Sequence, residues 1–100
     1  ANLQYVNLSN AYLPGADLRN ANLQFAEMNY AYAYQIYFTD SDLSNADLSN
    51  ANLQHATFQR SNLNGANLNG ALLQHSWWSD AICPDGTNSE DNGNTCENNL

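Results

Sequence analysis

A five-residue period runs through the chain from Ala1 to Asp85 without an insertion or a deletion. Of these seventeen units, twelve begin with Ala and three with Ser, and eleven carry Leu at the third position. The other three positions hold mostly Asn, Asp, Ser, Gln, Tyr and Gly. Neither the period of about 3.6 residues of a helix nor the alternation of a strand fits this spacing. The pattern predicts a coil that turns every five residues and directs its first and third positions inward.

Composition alone does not predict a stacked coil, because Leu, Ile, Val and Phe make up only nineteen residues and the net charge is −8. Such values are typical of a disordered chain. The order of the residues decides otherwise, since a small residue and a large apolar residue recur at the first and third positions of nearly every unit. A single coil cannot bury these residues alone, so we expect each coil to stack on a copy of itself. Asn and Gly at the corners suit tight turns because both tolerate positive φ.

The units ANLQY, ADLRN, ADLSN and ANLNG resemble the pentapeptide repeat family, whose motif is Ala-(Asn/Asp)-Leu-X-X, and the resemblance covers 85 of the 100 positions. It implies an all-β solenoid: a right-handed, quadrilateral parallel β-helix with four units, or twenty residues, in each coil. The sequence offers its own check on that number. At a period of twenty, Phe38, Phe58 and Trp78 fall in one column above Leu18, whereas at fifteen or twenty-five they scatter.

We therefore expect a repeat domain over residues 1–85, with four coils over 1–20, 21–40, 41–60 and 61–80 and a partial fifth. Residues 86–100 lack the repeat and are rich in turn-forming and acidic residues. An open coil end exposes unpaired backbone groups, so we expect this tail to cap it.

The two cysteines, Cys83 and Cys96, bracket a polar loop. A structural disulfide is the favoured interpretation; two thiols, or a metal or redox site, are the alternatives, although two cysteines without companions are a weak zinc signal. The family resemblance adds that similar Cys-bracketed tails end some secreted or lumenal members. Together these observations favour the periplasm or thylakoid lumen of a photosynthetic bacterium, or a plastid lumen.

The repeat is already in phase at Ala1. Either a leader has been removed or the sequence is a piece of a longer chain, in which case more coils or another domain should precede it. No run of eighteen apolar residues occurs, so we expect no membrane span. We expect a monomer.

Direct binding to nucleic acid is excluded by charge, because Arg19 and Arg60 are the only basic residues apart from histidine. The repeat carboxylates are spread around the coils, and no pair is held in an apolar pocket for acid–base chemistry. No nucleophile is accompanied by an ordered His and Asp. We therefore predict a protein that is not an enzyme and that carries no cofactor and no metal site.

Two groups of polar residues leave alternatives open. His55 and His75 share the fifth position one coil apart, above Gln35, and are interpreted as an exposed ladder; a metal ion or a pair that titrates near neutral pH is the alternative. The tail also offers oxygen ligands that could suit calcium, although their spacing does not match the usual calcium loop. These are Asp85, Asn88, Glu90, Asp91 and Asn94.

Aromatic residues crowd the outward positions of the first two coils. In the predicted register Tyr5 lies under Phe25 and Tyr12 lies under Tyr32. Such ladders can stabilise stacked coils without a partner, but exposed tyrosines are also typical of protein interfaces, and a glycan platform is a third alternative. The predicted interaction surface comprises Tyr5, Tyr12, Phe25, Tyr30, Tyr32, Tyr34 and Tyr37.

We predict that the chain is a protein-interaction or scaffold domain whose partner is another protein or a neighbouring domain. The alternative, implied by the family resemblance, is a mimic of duplex DNA that inhibits or protects topoisomerases such as gyrase. Four of the ten acids lie in the tail, the rod is short and no dimerising C-terminal helix is evident, all of which weigh against the mimic.

Overall fold

The computed structural model describes residues 1–97 and 100. Its backbone is built from thirteen parallel bridges, each joining two residues twenty apart, from Asn2 with Asn22 to Asn62 with Ile82. Each unit contributes one bridging residue, at its second position, so the bridges form four columns. These bridges confirm the period of twenty. They are isolated bridges rather than long strands, and the only helix within the described residues is a 3₁₀ helix, Ser89–Asn92.

Successive coils are joined by a regular set of backbone hydrogen bonds. Leu23 N–H donates to the Asp42 carbonyl at 2.7 Å, and Asp42 N–H donates to the Ala21 carbonyl at 3.0 Å. Between these contacts most units turn a corner that is closed by a bond such as Val6 N–H to Leu3 C=O, 3.1 Å.

The fifth residue of each of the first sixteen units lies in the left-handed region, with φ between 53° and 77°. A turn of this kind favours Gly or Asn at that position. At Gly65 the reason is also steric, because a Cβ would lie 2.5 Å from Asn45 Oδ1. At Gly65 the residue type is therefore restricted both by backbone conformation and by the side chain one coil away.

The Asn or Asp at the second position has its own structural role. Its side-chain oxygen accepts a hydrogen bond from the N–H of the fourth residue of the same unit, as Asn62 does from Asn64 at 3.0 Å and Asp47 from Ser49 at 3.0 Å. The bond satisfies a backbone donor at the turn, which explains why the motif prefers short polar side chains there.

The first and third positions form the core, as the repeat predicts. Phe38, Phe58 and Trp78 stack in one column, with ring centroids 5.5 Å and then 4.1 Å apart. The small Ala33 lies in the same coil as Phe38 and is fully buried. Within the described residues, no buried side-chain nitrogen or oxygen lacks a hydrogen-bond partner.

The chain leaves the repeat through a short hairpin. Ile82 pairs antiparallel with Asn88, and Cys83 N–H donates to the Thr87 carbonyl at 2.7 Å. The reversal occurs over Pro84, Asp85 and Gly86, with Gly86 N–H donating to the Cys83 carbonyl at 2.8 Å and φ of Gly86 at 87°. The sequence predicted an irregular tail here, although a loop of three residues that ends in a left-handed Gly is a common hairpin connection.

The predicted disulfide is present: Cys83 and Cys96 are bonded, with their Cα atoms 5.2 Å apart and both side chains fully buried. The tail is also held by the buried Ser89, whose hydroxyl donates to the Trp78 carbonyl and accepts from Ala81 N–H. These contacts place residues 87–96 against the last coil.

Candidate functional site: the exposed aromatic residues

The structure divides the predicted aromatic surface into separate groups. Tyr12, Tyr32 and Tyr34, here called the tyrosine row, are joined by ring contacts of 5.2 Å and 6.3 Å. Tyr5 and Phe25, here called the corner pair, stack at 5.1 Å. In the described part of the chain, no ring contact joins the corner pair to the tyrosine row. Both ladders that the register predicted are therefore confirmed, but they lie on different parts of the coil.

The two remaining aromatic residues of the predicted surface also stand apart. Tyr30 occupies a corner of its own and is well exposed, whereas Tyr37 bridges to Asp17 and Thr57 on the following face. The fold thus concentrates three of the seven rings in one continuous row and distributes the other four.

The tyrosine row occupies positions where the motif would normally place a turn-forming residue. Tyr12 and Tyr32 stand at second positions, and neither can make the Asn-type hydrogen bond to the backbone that Asn52, in the same column, makes to Gln54. Such a bond contributes about 1 kcal/mol to stability. Tyr12 is 77 % exposed and Tyr32 39 %. Ring stacking offsets part of the loss, since aromatic pairs are worth roughly 0.5–1.5 kcal/mol beyond burial.

The corner pair departs from the motif in another way. Tyr5 and Phe25 have φ of 62° and 60°, a conformation that is unusual for a bulky residue. Asn45 follows them in the same column with φ of 61° and is the residue type that this corner prefers. Both aromatic groups therefore stand where the local backbone favours something else.

The tyrosine row continues into the two histidines. Tyr34 meets His55 edge-on at 5.2 Å, and His55 stacks on His75 at 4.9 Å. The result is an unbroken run of five rings from the first coil to the fourth. Sequence reasoning predicted the His55–His75 ladder but treated it separately from the tyrosines. The sequence does not predict this link, because residues share a column only when they are a multiple of twenty apart, and Tyr34 and His55 are not.

A cleft of about 520 Å³ lies between the last complete coil and the tail. Trp77, 63 % exposed, lines one side, and Glu90 and Asn94 line the other. Three further residues complete the lining: Ser76, Trp78 and Ser79.

Two of the five residues considered for calcium, Asp85 and Asn88, use their side-chain oxygens in hydrogen bonds within the tail. Asn88 Oδ1 caps the 3₁₀ helix by accepting from Glu90 N–H at 2.8 Å, and Asp85 Oδ1 accepts from Thr87 N–H at 3.0 Å. Within residues 1–97 and 100, no three His, Cys, Asp or Glu side chains are grouped as metal ligands.

Both arginines are paired with carboxylates. Arg19 binds Asp17 at 2.7 Å within one unit, and Arg60 binds Asp40 at 2.7 Å across two coils. The side-chain hydrogen bond from Arg19 lowers the pKa of Asp17 to about 2, and the bond from Arg60 lowers the pKa of Asp40.

In the part of the chain that the structure describes, no helix is long and apolar enough to cross a bilayer.

A sequence model described as "Pentapeptide repeats" matches residues 1–40 and 36–74, in eight copies. The chain belongs to the pentapeptide repeat family. No curated protein matches the chain significantly.

Three solved structures of repeat proteins illustrate the relationship. The chain is 37 % identical to alr5209 from Nostoc PCC 7120, covering 81 % of this chain and 64 % of that one with a TM-score of 0.72. It is 30 % identical to a thylakoid lumen pentapeptide repeat protein of Arabidopsis thaliana, and the match covers 82 % of this chain and 65 % of that one with a TM-score of 0.58. It shares the fold of QnrB1, a plasmid-mediated fluoroquinolone resistance protein, at 24 % identity, and that match covers 83 % of this chain and 41 % of that one with a TM-score of 0.78.

The chain thus spans less than two thirds of the length of each of these structures. Its β-helical architecture is shared with them.

Proposed function

We propose that this chain is a non-catalytic protein-interaction domain whose contact surface is centred on the tyrosine row, Tyr12, Tyr32 and Tyr34. The observation that carries this proposal is a continuous row of rings, exposed at Tyr12 and Tyr32, where these two tyrosines replace the Asn that the motif favours for its turn hydrogen bond. Tyrosine is enriched at interfaces because it supplies a large contact area at a low cost in side-chain entropy. The backbone around Tyr32 and Tyr34 is bonded to the coils before and after it, so little ordering of these residues is needed on binding.

The domain in this proposal comprises residues 1–85 as a right-handed, four-sided solenoid and residues 86–100 as its cap. The partner is another protein or a neighbouring domain of a longer chain. The disulfide favours an oxidising compartment, and the likeness to a thylakoid lumen repeat protein supports a lumen or periplasm. The remaining four aromatic residues of the predicted surface, Tyr5, Phe25, Tyr30 and Tyr37, form its periphery.

The test uses substitutions that the motif itself supplies. In the variant Tyr12→Asn, Tyr32→Asn, Tyr34→Gln, each new residue is the type found higher in the same column, at Asn52 or Gln54. The turn hydrogen bond of Asn compensates for lost stacking, so we expect Tm to change little. Partners captured by non-reducing cross-linking with the wild-type chain should be lost with this variant.

A matched control is Tyr5→Asn with Phe25→Asn, which converts the corner pair to the residue type at Asn45. It removes two rings but leaves the tyrosine row intact, so captured partners should be retained. Partners retained by both variants would contradict the proposal. Partners lost only with the corner-pair variant would show that the contact surface is centred on the corner pair and not on the tyrosine row. Inhibition of gyrase supercoiling by the chain would instead support the DNA-mimic alternative.

A further inference from the structure

The two histidines at the end of the ring run form an arrangement that the protein-interaction proposal does not use. His55 and His75 occupy the same corner of successive coils, with φ of 59° and 62°. Equal backbone conformations direct both Cβ atoms the same way, and both side chains are exposed. The fold therefore presents two imidazoles side by side on a backbone that fixes their separation.

The spacing of one coil keeps the two imidazoles close enough to reach a shared metal ion once their rings turn. A transition-metal ion binds an imidazole nitrogen at about 2.0–2.1 Å, which places each ring centroid roughly 3.2 Å from the ion. With the angle between two ligands near 90–110°, the centroids are then about 4.5–5.2 Å apart. The observed distance is 4.9 Å, with the ring planes 22° apart. Because the rings stack with nearly parallel planes, metal binding requires them to rotate about their side-chain bonds until one nitrogen of each faces the ion, and both side chains are exposed.

The surroundings also favour a cation. Imidazole suits copper, nickel and zinc rather than calcium or magnesium. The chain carries a net charge of −8, which raises the local concentration of cations.

From this geometry we propose that His55 and His75 form a surface site for a divalent transition-metal ion, with water completing the coordination. The affinity order follows the usual preference of nitrogen ligands, so copper binds more tightly than nickel or zinc. Acid weakens binding because a proton competes for the same imidazole nitrogen. The site is independent of the protein-interaction proposal and stands whether or not the tyrosine row has a partner.

The experiment is calorimetric titration of the oxidised chain with Cu²⁺ and, separately, with Ni²⁺ and Mg²⁺, together with the electron paramagnetic resonance spectrum of the copper complex. We expect one Cu²⁺ per chain, nitrogen couplings from two imidazoles, and no binding of Mg²⁺. His55→Asn and His75→Asn should each weaken binding more than about tenfold, since loss of a mere outer-sphere partner already costs roughly 10- to 100-fold. Asn is the commonest residue at these corners and shares their positive φ, so both variants should keep their circular dichroism and Tm.

A gain-of-function variant sharpens the test. Gln35 lies one coil before His55 at the same corner, with φ of 60°. Gln35→His adds a third imidazole to the column and should tighten copper binding about tenfold or more. Copper bound equally well by the wild-type chain and by the double Asn variant would overturn the proposal, because binding would then lie at the amino terminus or in the acidic tail. A wild-type chain that binds no copper would overturn it as well.

Discussion

The first coil and the last turns of the chain contain the same kinds of inward-facing residues but bury them to different degrees. In residues 1–20 the inward Leu and Val side chains are only half-buried, although the backbone follows the same register as the later coils. At the other end Trp78 and Cys83 are almost or fully inaccessible because the tail packs over them. The repeat motif thus determines which way a side chain points, and a neighbouring layer determines whether it is buried.

The hydrogen bonds show the same contrast. In the second coil Asn22 N–H donates to Ala1 C=O and Leu23 N–H donates to the Asp42 carbonyl, so the coil is bonded on both sides. In the last layer the tail supplies the partners: Cys83 N–H donates to the Thr87 carbonyl and Ala81 N–H donates to the Ser89 hydroxyl. A hairpin therefore replaces a coil.

The largest effect should come from truncating matched leucines at the open end and in the middle. Leu3 and Leu43 occupy the same column, but Leu43 is fully buried between neighbouring coils, whereas Leu3 is half-buried. Leu43→Ala should lower the free energy of unfolding by about 2–5 kcal/mol, because it leaves a cavity. Leu3→Ala should cost less than half as much, since water can fill the space. Urea denaturation of both variants measures the difference, and equal losses would show that the first coil is as well packed as the third.

Removal of the disulfide should have the next largest effect and should act on the other end. The bond closes a loop with a sequence separation of thirteen. Cys96→Ala should therefore destabilise the chain by about 3 kcal/mol through the entropy of the unfolded state. Hydrogen exchange should increase first at the amides of Cys83 and Ala81, which the tail covers, while those of the first coil change little. Exchange that increases equally in both ends would mean that the chain opens as a single unit and that the two ends are not independent.

The smallest effect concerns the two ion pairs, which differ in what they connect. Arg60 joins its coil to Asp40 in the coil before, whereas Arg19 bonds Asp17 within one unit. Arg60→Gln should therefore lower Tm at pH 5 more than Arg19→Gln. Gln is already present at the same unit positions, at Gln35 and Gln24.

The pH dependence of these variants follows from the carboxyl pKa values. The pKa of Asp17 is about 2, below the roughly 3.9 of an unfolded Asp, and that of Asp40 is also lowered. Each pair stabilises the fold above the unfolded pKa and loses that contribution as pH falls through the folded value. The Tm gap between wild type and each variant should therefore narrow between pH 5 and pH 2, and about 1 M salt should reduce it. A gap as large at pH 2 as at pH 5 would exclude the carboxylates as its cause.

Much of the candidate site could be predicted because the register is periodic. Once the period of twenty is known, stacking of Tyr5 on Phe25, of Tyr12 on Tyr32 and of His55 on His75 follows from subtraction. The link from Tyr34 to His55 does not, because it crosses a corner and depends on how far two side chains reach. The division of the aromatic surface into separate groups also depends on corner geometry, which spacing along the chain does not measure.

By itself, the sequence determined the coil, its twenty-residue period, the inward column of Phe38, Phe58 and Trp78, and the pairing of the two cysteines as the favoured interpretation. These features depend on local turn preferences and on side-chain volume, both of which recur with the repeat. The tertiary structure alone decided how the tail closes the last layer and which exposed rings touch. Those contacts join residues unrelated by the period, and they form only once the layers have been stacked and the corners set in place.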